Sequence, residues 1–224
     1  MMWGVKKSMK KILFSTLCLF LCTACSLTTQ STPMNPEKVI LCLWDSLTEG
    51  YNVKPEDSYP TQLKKLLDST GYTYEVLNVW HNGDTSSELV AKLDDILTNM
   101  EKLPSVALLT IGGNDGLRKM STEDLEKNIE TIIKKLKEKN IRVVLWGMQL
   151  EGLVFGFSYS GDFNSVYPNM AKAMDVYLLK NFLGWVFWHS ELMQSDLVHP
   201  NKDGYKVISQ NIFTFLEENE LIVK

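Results

Sequence analysis

Four short blocks contain the side chains with which this chain could do chemistry. In chain order they are Asp45-Ser46-Leu47-Thr48, Asn82-Gly83-Asp84-Thr85-Ser86, Gly112-Gly113-Asn114-Asp115 and Asp196-Leu197-Val198-His199-Pro200. A serine hydroxyl becomes a nucleophile when a neighbouring base accepts its proton, and an imidazole oriented by a carboxylate is such a base. N–H groups aimed at the developing oxyanion stabilise the attack on a carbonyl. Together the blocks supply the groups that acyl transfer through a serine requires.

The candidate base is His199. The chain has three histidines, His81, His189 and His199, and only His199 has a carboxylate at turn spacing, Asp196 three residues earlier. In a tight loop this carboxylate can accept a hydrogen bond from Nδ1–H, which fixes the tautomer and leaves Nε2 facing a hydroxyl. We therefore expect Asp196 and His199 to act as a pair, with Ser46 as the nucleophile that they activate.

Gly83 and Asn114 are the candidate donors to an oxyanion. Gly83 lacks a Cβ, so its backbone N–H can approach a ligand closely. Asn114 can offer its side-chain NH₂, and the two glycines before it leave space around that amide. An isolated glycine or asparagine is more often only a turn residue. Their occurrence with a serine block and an Asp/His pair favours the functional interpretation.

Alternating strand and helix patterns predict the fold that positions these blocks. The continuous apolar run Lys38–Trp44 predicts a strand buried on both faces. Further strands are predicted at Tyr74–Trp80, Ser105–Ile111 and Arg142–Met148, with a short fifth strand at Tyr177–Leu179. Helical spacing predicts helices at Tyr59–Leu67, from the cap candidates Asp84-Thr85-Ser86-Ser87-Glu88 to about Met100, and at Thr122–Lys139, Asn169–Val176 and Gly204–Glu217. We expect Gln149–Pro168, which is rich in glycine, serine and aromatic residues, to be irregular.

The predicted order of elements implies an α/β fold with a mostly parallel sheet covered by helices on both faces. Ligands of such sheets bind beyond the carboxyl ends of the strands. Three of the four blocks follow a predicted strand directly, after Trp44, Trp80 and Ile111. We therefore expect the polar blocks to meet at one edge of the sheet.

The N-terminal segment is typical of an export signal. Lysines at positions 6, 7, 10 and 11 precede the apolar run Ile12–Ala24, which is too short to span a bilayer comfortably. The segment Leu21-Cys22-Thr23-Ala24-Cys25-Ser26 resembles a bacterial lipobox, although Cys22 stands where leucine or valine is usual. We expect a signal peptide at residues 1–24, a lipidated Cys25, a tether at residues 25–37 and a folded domain at residues 38–224, held at a membrane surface of the periplasm or cell exterior. Simple secretion and a start at Met9 are the open alternatives.

Charge and motif spacing argue against several classes of partner. Without residues 1–24, 27 acidic residues face 19 basic ones, which gives a net charge of −8. Nucleic acid is therefore not expected as an electrostatic partner. The histidines lack metal-ligand spacing, and Gly112-Gly113 lacks the lysine and hydroxyl residue of a phosphate-binding loop. We expect neither a metal nor a cofactor.

Taken together, the blocks resemble those of the SGNH (GDSL-type) hydrolases, and most closely the bacterial arylesterase, acyl-CoA thioesterase and lysophospholipase enzymes. The resemblance covers roughly Val39 to Leu216 and extends to Leu47-Thr48-Glu49-Gly50-Tyr51, to Gly116-Leu117-Arg118 after the third block, and to Met193-Gln194. It implies a three-layer α/β/α sandwich in which Ser46 is the nucleophile, His199 the base and Asp196 its orienting carboxylate. It also implies an oxyanion hole formed by the backbone N–H groups of Ser46 and Gly83 and the side chain of Asn114. The implied substrates are small acyl esters or lipids.

One departure from the family pattern precedes the nucleophile. Trp44 stands where the family usually has glycine, so we expect altered access or substrate range more than inactivity. Two other functions stay open. A polysaccharide acetylesterase is plausible for an exported, anchored protein. Aromatic residues in Gly152–Tyr167 and Trp185–Trp188 can stack on sugars, but they can equally line a lipid pocket or belong to the core. A catalytically inactive binding protein on the same scaffold is motivated only by Trp44.

Overall fold

The computed structural model describes residues 37–43, 45–79, 81–180 and 183–224. The expected signal peptide, Cys25, most of the tether and Trp44 lie outside these ranges. The strands are β1 (Glu37–Leu43), β2 (Glu75–Val79), β3 (Pro104–Leu109), β4 (Arg142–Trp146) and β5 (Tyr177–Leu179). The helices are α1 (Ser46–Glu49), α2 (Tyr59–Ser69), α3 (Ser86–Thr98), α4 (Gly113–Leu117), α5 (Thr122–Glu138), α6 (Gly152–Phe155), α7 (Phe157–Met174), α8 (Gly184–Phe187) and α9 (Lys202–Glu218).

The described strands form one parallel sheet in the order β2-β1-β3-β4-β5. β1 and β3 lie inside the sheet, and both are apolar runs that helices can cover on either face. Every residue of β3 is buried, as are Val39 to Leu43 of β1. In the register of this pair, Leu41 lies beside Ala107 and Leu43 beside Leu109. The predicted α/β fold with a parallel sheet is therefore confirmed.

Two groups of helices cover the sheet. α2 packs on α9, and α5 packs on both α3 and α7. Leu63, Ile212, Leu93 and Ile129 of these helices are buried. The connection from β1 to β2 crosses the sheet in one direction, and the connections from β2 to β3, β3 to β4 and β4 to β5 cross it in the other. Because such crossovers are right-handed, the two groups of helices lie on opposite faces of the sheet. In none of the described helices is there a segment both long and apolar enough to cross a bilayer.

The prediction of an irregular Gln149–Pro168 is wrong. The segment contains α6 and most of α7, and the expected helix at Asn169–Val176 is the end of that same α7. Pro168 lies inside α7, where a proline usually ends a helix because it removes an N–H donor. The burial of Phe163, Val166, Tyr167 and Met170, at helical spacing, outweighs this loss.

Candidate active site

Ser46 begins α1 immediately after the turn that follows β1. Asp45 caps this helix, and its Oδ1 accepts a hydrogen bond from the N–H of Leu47 at 2.9 Å. Gly50 ends the helix with a φ of 82°, and an added Cβ would lie 2.6 Å from Cβ of Ser58. Only a glycine fits this tight exit from the helix. The single turn of helix therefore holds Ser46 at the carboxyl edge of the sheet.

A continuous chain of hydrogen bonds joins Ser46, His199 and Asp196. The hydroxyl oxygen of Ser46 lies 2.8 Å from Nε2 of His199, and Nδ1 of His199 lies 2.8 Å from Oδ2 of Asp196. The other carboxylate oxygen of Asp196 accepts from the N–H groups of Val198 at 2.9 Å and His199 at 3.0 Å. The structure thus brings together the three residues that the sequence proposes as nucleophile, base and orienting acid.

The hydrogen bonds to Asp196 decide its ionisation state. Partial burial of this carboxyl raises its pKa, but the donors of His199 and Val198 outweigh burial and leave the pKa below its ordinary value. Asp196 is therefore a carboxylate at neutral pH. A carboxylate accepts the proton of Nδ1 and so leaves Nε2 of a neutral His199 as the acceptor for the serine hydroxyl.

α4 holds the loop that carries Gly83. The side-chain amide of Asn114 donates to the carbonyl oxygen of Asp84 at 2.9 Å, and the guanidinium of Arg118 donates to the carbonyl oxygen of Gly83 at 2.7 Å. Asn114 and Arg118 are four residues apart and therefore share one side of the helix. An amide NH₂ carries two hydrogens. Asn114 can consequently fix the loop with one hydrogen and offer the other to a ligand.

A buried carboxylate behind the site ties α4 to two further helices. Asp115 accepts hydrogen bonds from the N–H of Ser86 at 2.9 Å and from its hydroxyl at 2.6 Å. Asn128 of α5 donates to the same hydroxyl at 2.9 Å. The start of α3 is closed by a capping box between Thr85 and Glu88. Both ends of the loop at residues 82–86 are therefore held in place.

Gln194 joins the loop of the base to the loop behind the nucleophile, a role that sequence reasoning missed. Its Nε2 donates to the carbonyl oxygens of Tyr51 at 2.8 Å and Pro200 at 2.9 Å, and its Oε1 accepts from Asn52 at 3.1 Å. The ring of Tyr51 lies on His199 with 4.6 Å between the centroids. The only sequence signal for these contacts was the match of Gln194 and Tyr51 to the family pattern.

Asp45 is a buried carboxyl beside the nucleophile. Burial raises its pKa to about 7, although hydrogen bonds from the backbone of Leu47 and Thr48 lower it, and the nearby Asp115 raises it further. A Cβ added to Gly113 would lie 3.5 Å from Oδ2 of Asp45, so the start of α4 packs closely against this group. The φ of 34° at Asp45 is also rare for a residue with a side chain.

A parallel α/β sheet with serine, histidine and aspartate in hydrogen-bond contact at its carboxyl edge defines a protein of the serine-hydrolase class. The family model of the GDSL-like Lipase/Acylhydrolase family matches residues 42–207, and the chain belongs to this family. The resemblance to SGNH (GDSL-type) hydrolases is therefore confirmed. Relatives named thioesterase, lysophospholipase and arylesterase make carboxylic ester hydrolysis the activity that this membership supports.

Three similar proteins illustrate the relationship. The Thioesterase 1/protease 1/lysophospholipase L1 of Escherichia coli K12 is 32% identical over 76% of this chain and 79% of its own length. The arylesterase of Vibrio mimicus is 30% identical over 76% of this chain and 84% of its own length. The crystal structure of the psychrotrophic esterase EstA from Pseudoalteromonas sp. superposes with a TM-score of 0.77 at 26% identity, covering 82% of this chain and 99% of that chain.

The raised pKa of Asp45 leads to a testable dependence of stability on pH. A carboxyl whose pKa is about 7 in the folded chain and 3.8 in the unfolded chain favours folding fully below pH 3.8 and loses this contribution as the pH rises toward 7. Asp45→Asn keeps the acceptor for Leu47 but has no charge. Relative to the unchanged chain, its free energy of unfolding should therefore be higher at pH 8 than at pH 4, by up to ~4 kcal/mol. Urea denaturation at both pH values measures this difference, and an equal effect at both would contradict the assignment.

Proposed function

We propose that the chain is a serine esterase or thioesterase that hydrolyses acyl esters through an acyl-enzyme on Ser46. The observation that carries this proposal is the unbroken hydrogen-bond path from Ser46 through His199 to Asp196 at the carboxyl edge of the sheet. The names of the relatives, which include thioesterase, lysophospholipase and arylesterase, support acyl esters as the substrate class.

The first half of the reaction transfers the acyl group to the serine. Nε2 of His199 accepts the hydroxyl proton of Ser46 as Oγ attacks the carbonyl carbon, and the carbonyl electrons move to oxygen. The N–H groups of Ser46 and Gly83 and the second amide hydrogen of Asn114 stabilise this oxyanion. When the oxyanion collapses, the bond to the leaving alcohol or thiol breaks and His199 gives it the proton.

The second half of the reaction repeats these steps with water. His199 takes a proton from water as the water oxygen attacks the acyl-enzyme, and the same donors stabilise the second oxyanion. Collapse returns the proton to Oγ of Ser46 and releases the carboxylic acid. Asp196 stays ionised throughout, and it stabilises the imidazolium that forms twice in each cycle.

Removal of the nucleophile tests the proposal directly. Ser46→Ala should lower the hydrolysis of p-nitrophenyl acetate, butyrate and longer esters by at least about 10³-fold. A fluorophosphonate probe, which reacts with activated serines, should label the unchanged chain and not the variant. Ser69→Ala, a matched exchange on the exposed surface of α2, should keep both ester hydrolysis and labelling by the probe.

Two outcomes of this experiment would change the conclusion. Hydrolysis by the unchanged chain that is no faster than hydrolysis by Ser46→Ala across the series, together with no labelling, would refute the proposed enzyme and favour a binding protein. If the probe labels Ser46, and the same comparison with acetylated xylan or peptidoglycan and with a thioester shows acetate release but no thioester hydrolysis, the substrate class would move to carbohydrate acetyl esters.

The oxyanion role of Asn114 predicts a specific change in kinetics. Asn114→Ala removes a donor that acts mainly in the transition state, so kcat should fall about 10²–10³-fold while KM changes little. Steady-state kinetics with p-nitrophenyl butyrate measure both constants, and the melting temperature shows whether the fold is intact. A kcat within a factor of three of the unchanged value would contradict the assignment.

We further propose that the chain is exported and anchored to a membrane by a lipid on Cys25. The four lysines before Ile12–Ala24 and the small residues before Cys25 support a lipoprotein signal. Residues 25–37 would then connect the lipid to the domain that begins at β1. Such an anchor would keep the site near a membrane without making the domain part of the bilayer.

Lipidation has a direct test with a matched control. In a bacterial host fed radioactive palmitate, the unchanged chain and Cys22→Ser should both be labelled, because Cys22 would leave with the signal peptide. Cys25→Ser should carry no label and should leave the membrane fraction. Label that persists in Cys25→Ser would place the lipid elsewhere and contradict the proposed anchor.

A further inference from the structure

The loop that holds the base exposes two large apolar side chains to solvent. Leu197 is 61% exposed and Val198 is 38% exposed, and both lie between Asp196 and His199. Tyr51 follows the helix of the nucleophile and is 40% exposed, and its ring contacts the ring of His199. Exposed apolar side chains therefore occupy the loop of the base, and a further partly exposed ring contacts the imidazole.

Leu197 occupies a backbone conformation that does not favour leucine. Its φ is 56°, in the left-handed region where a Cβ is unfavourable and where glycine or asparagine is usual. The other described non-glycine residues with positive φ are all polar: Asp45, Asn52, Lys119, Asn140, Asp175 and Glu220. The loop requires the conformation, because the N–H of Leu197 donates to Gln194 and that of Val198 to Asp196. It does not require an apolar side chain there.

The chemistry of the site indicates which part of a substrate meets these apolar side chains. The carbonyl oxygen points to the donors of Gly83 and Asn114, whereas the leaving group receives its proton from Nε2 of His199. The leaving alcohol or thiol must therefore depart along the side of the site that His199 and its loop form. Residues 194–200 contain no lysine or arginine, and the carboxylate of Asp196 lies among them. This side suits an apolar leaving group better than a polyanionic one.

We propose that Leu197 and Val198 form a subsite for apolar leaving groups, so that the protein prefers aryl and alkyl esters over esters of polar or anionic alcohols and thiols. The subsite rests on the proposed acyl-enzyme mechanism. It accounts for a strained, exposed leucine beside the base, because burial of its side chain against the leaving group stabilises the bound substrate.

The test compares two esters that differ only in the polarity of the leaving group. Heptyl acetate and 2-(2-methoxyethoxy)ethyl acetate have leaving groups of equal chain length, and both give the same acetyl-enzyme. Their ratio of kcat/KM therefore reports only binding and acylation. Leu197→Asn and Leu197→Gly remove the apolar side chain with residues that tolerate positive φ. Val223→Asn is the matched control, because Val223 is 60% exposed near the C-terminus.

Both Leu197 variants should lower the preference for the heptyl ester about fivefold, mainly through KM, and the control should leave it unchanged. Neither variant should melt below the unchanged chain, because both residues fit the loop at lower strain. An unchanged preference with hydrolysis that still depends on Ser46 would overturn the subsite and leave the proposed function standing. Equal losses on both esters with a lower melting temperature would make Leu197 a packing residue and also overturn the subsite. If neither ester is hydrolysed faster than by Ser46→Ala, the proposed function fails and the subsite fails with it.

Discussion

The hydrogen bond between Ser46 and His199 is the constraint on which the arrangement of the site depends. Its two residues are 153 positions apart, yet their atoms must lie 2.8 Å from each other. The parallel sheet brings the end of β1 to the edge where the loop of His199 passes, but the sheet does not by itself fix the position of that loop. Gln194 fixes this loop, because its side chain joins the loop of His199 to the turn behind Ser46. The base is thus positioned by backbone contacts on both sides.

The donor side of the site is built on a separate framework. α4 reaches across to two successive carbonyl oxygens of the Gly83 loop, while Asp115 links the same helix to α3 and, through Ser86, to α5. A buried carboxylate with several hydrogen bonds fixes such a junction firmly, since each unsatisfied group would be costly. The loops of the nucleophile and the donors leave neighbouring strands, because β1 pairs with both β2 and β3, and this framework fixes the donor loop beyond the sheet.

Local patterns in the sequence were sufficient to predict the parallel sheet and the positions of the polar blocks, because its inner strands contain apolar runs such as that within Ser105–Ile111. The helix at Phe157–Met174 was missed because Pro168, Gly156 and Gly161 are local signals against a helix, and only burial against α5 and β4 overrides them. Arg118 and Gln194 could not be assigned from the sequence, since their partners are distant carbonyl oxygens that any residue type can provide.

The loops of the nucleophile and of the base share a feature that stability alone does not explain. Each loop contains a non-glycine residue with positive φ close to a residue of the proposed triad. Asp45 precedes Ser46, and Leu197 lies between Asp196 and His199. One of these residues is a buried carboxyl with a raised pKa, and the other is an exposed leucine. Strain of this kind persists where the surrounding contacts overdetermine the backbone, and it concentrates at functional sites. A chain selected only for stability would place asparagine or glycine at Leu197, so its side chain is best explained by contact with a substrate.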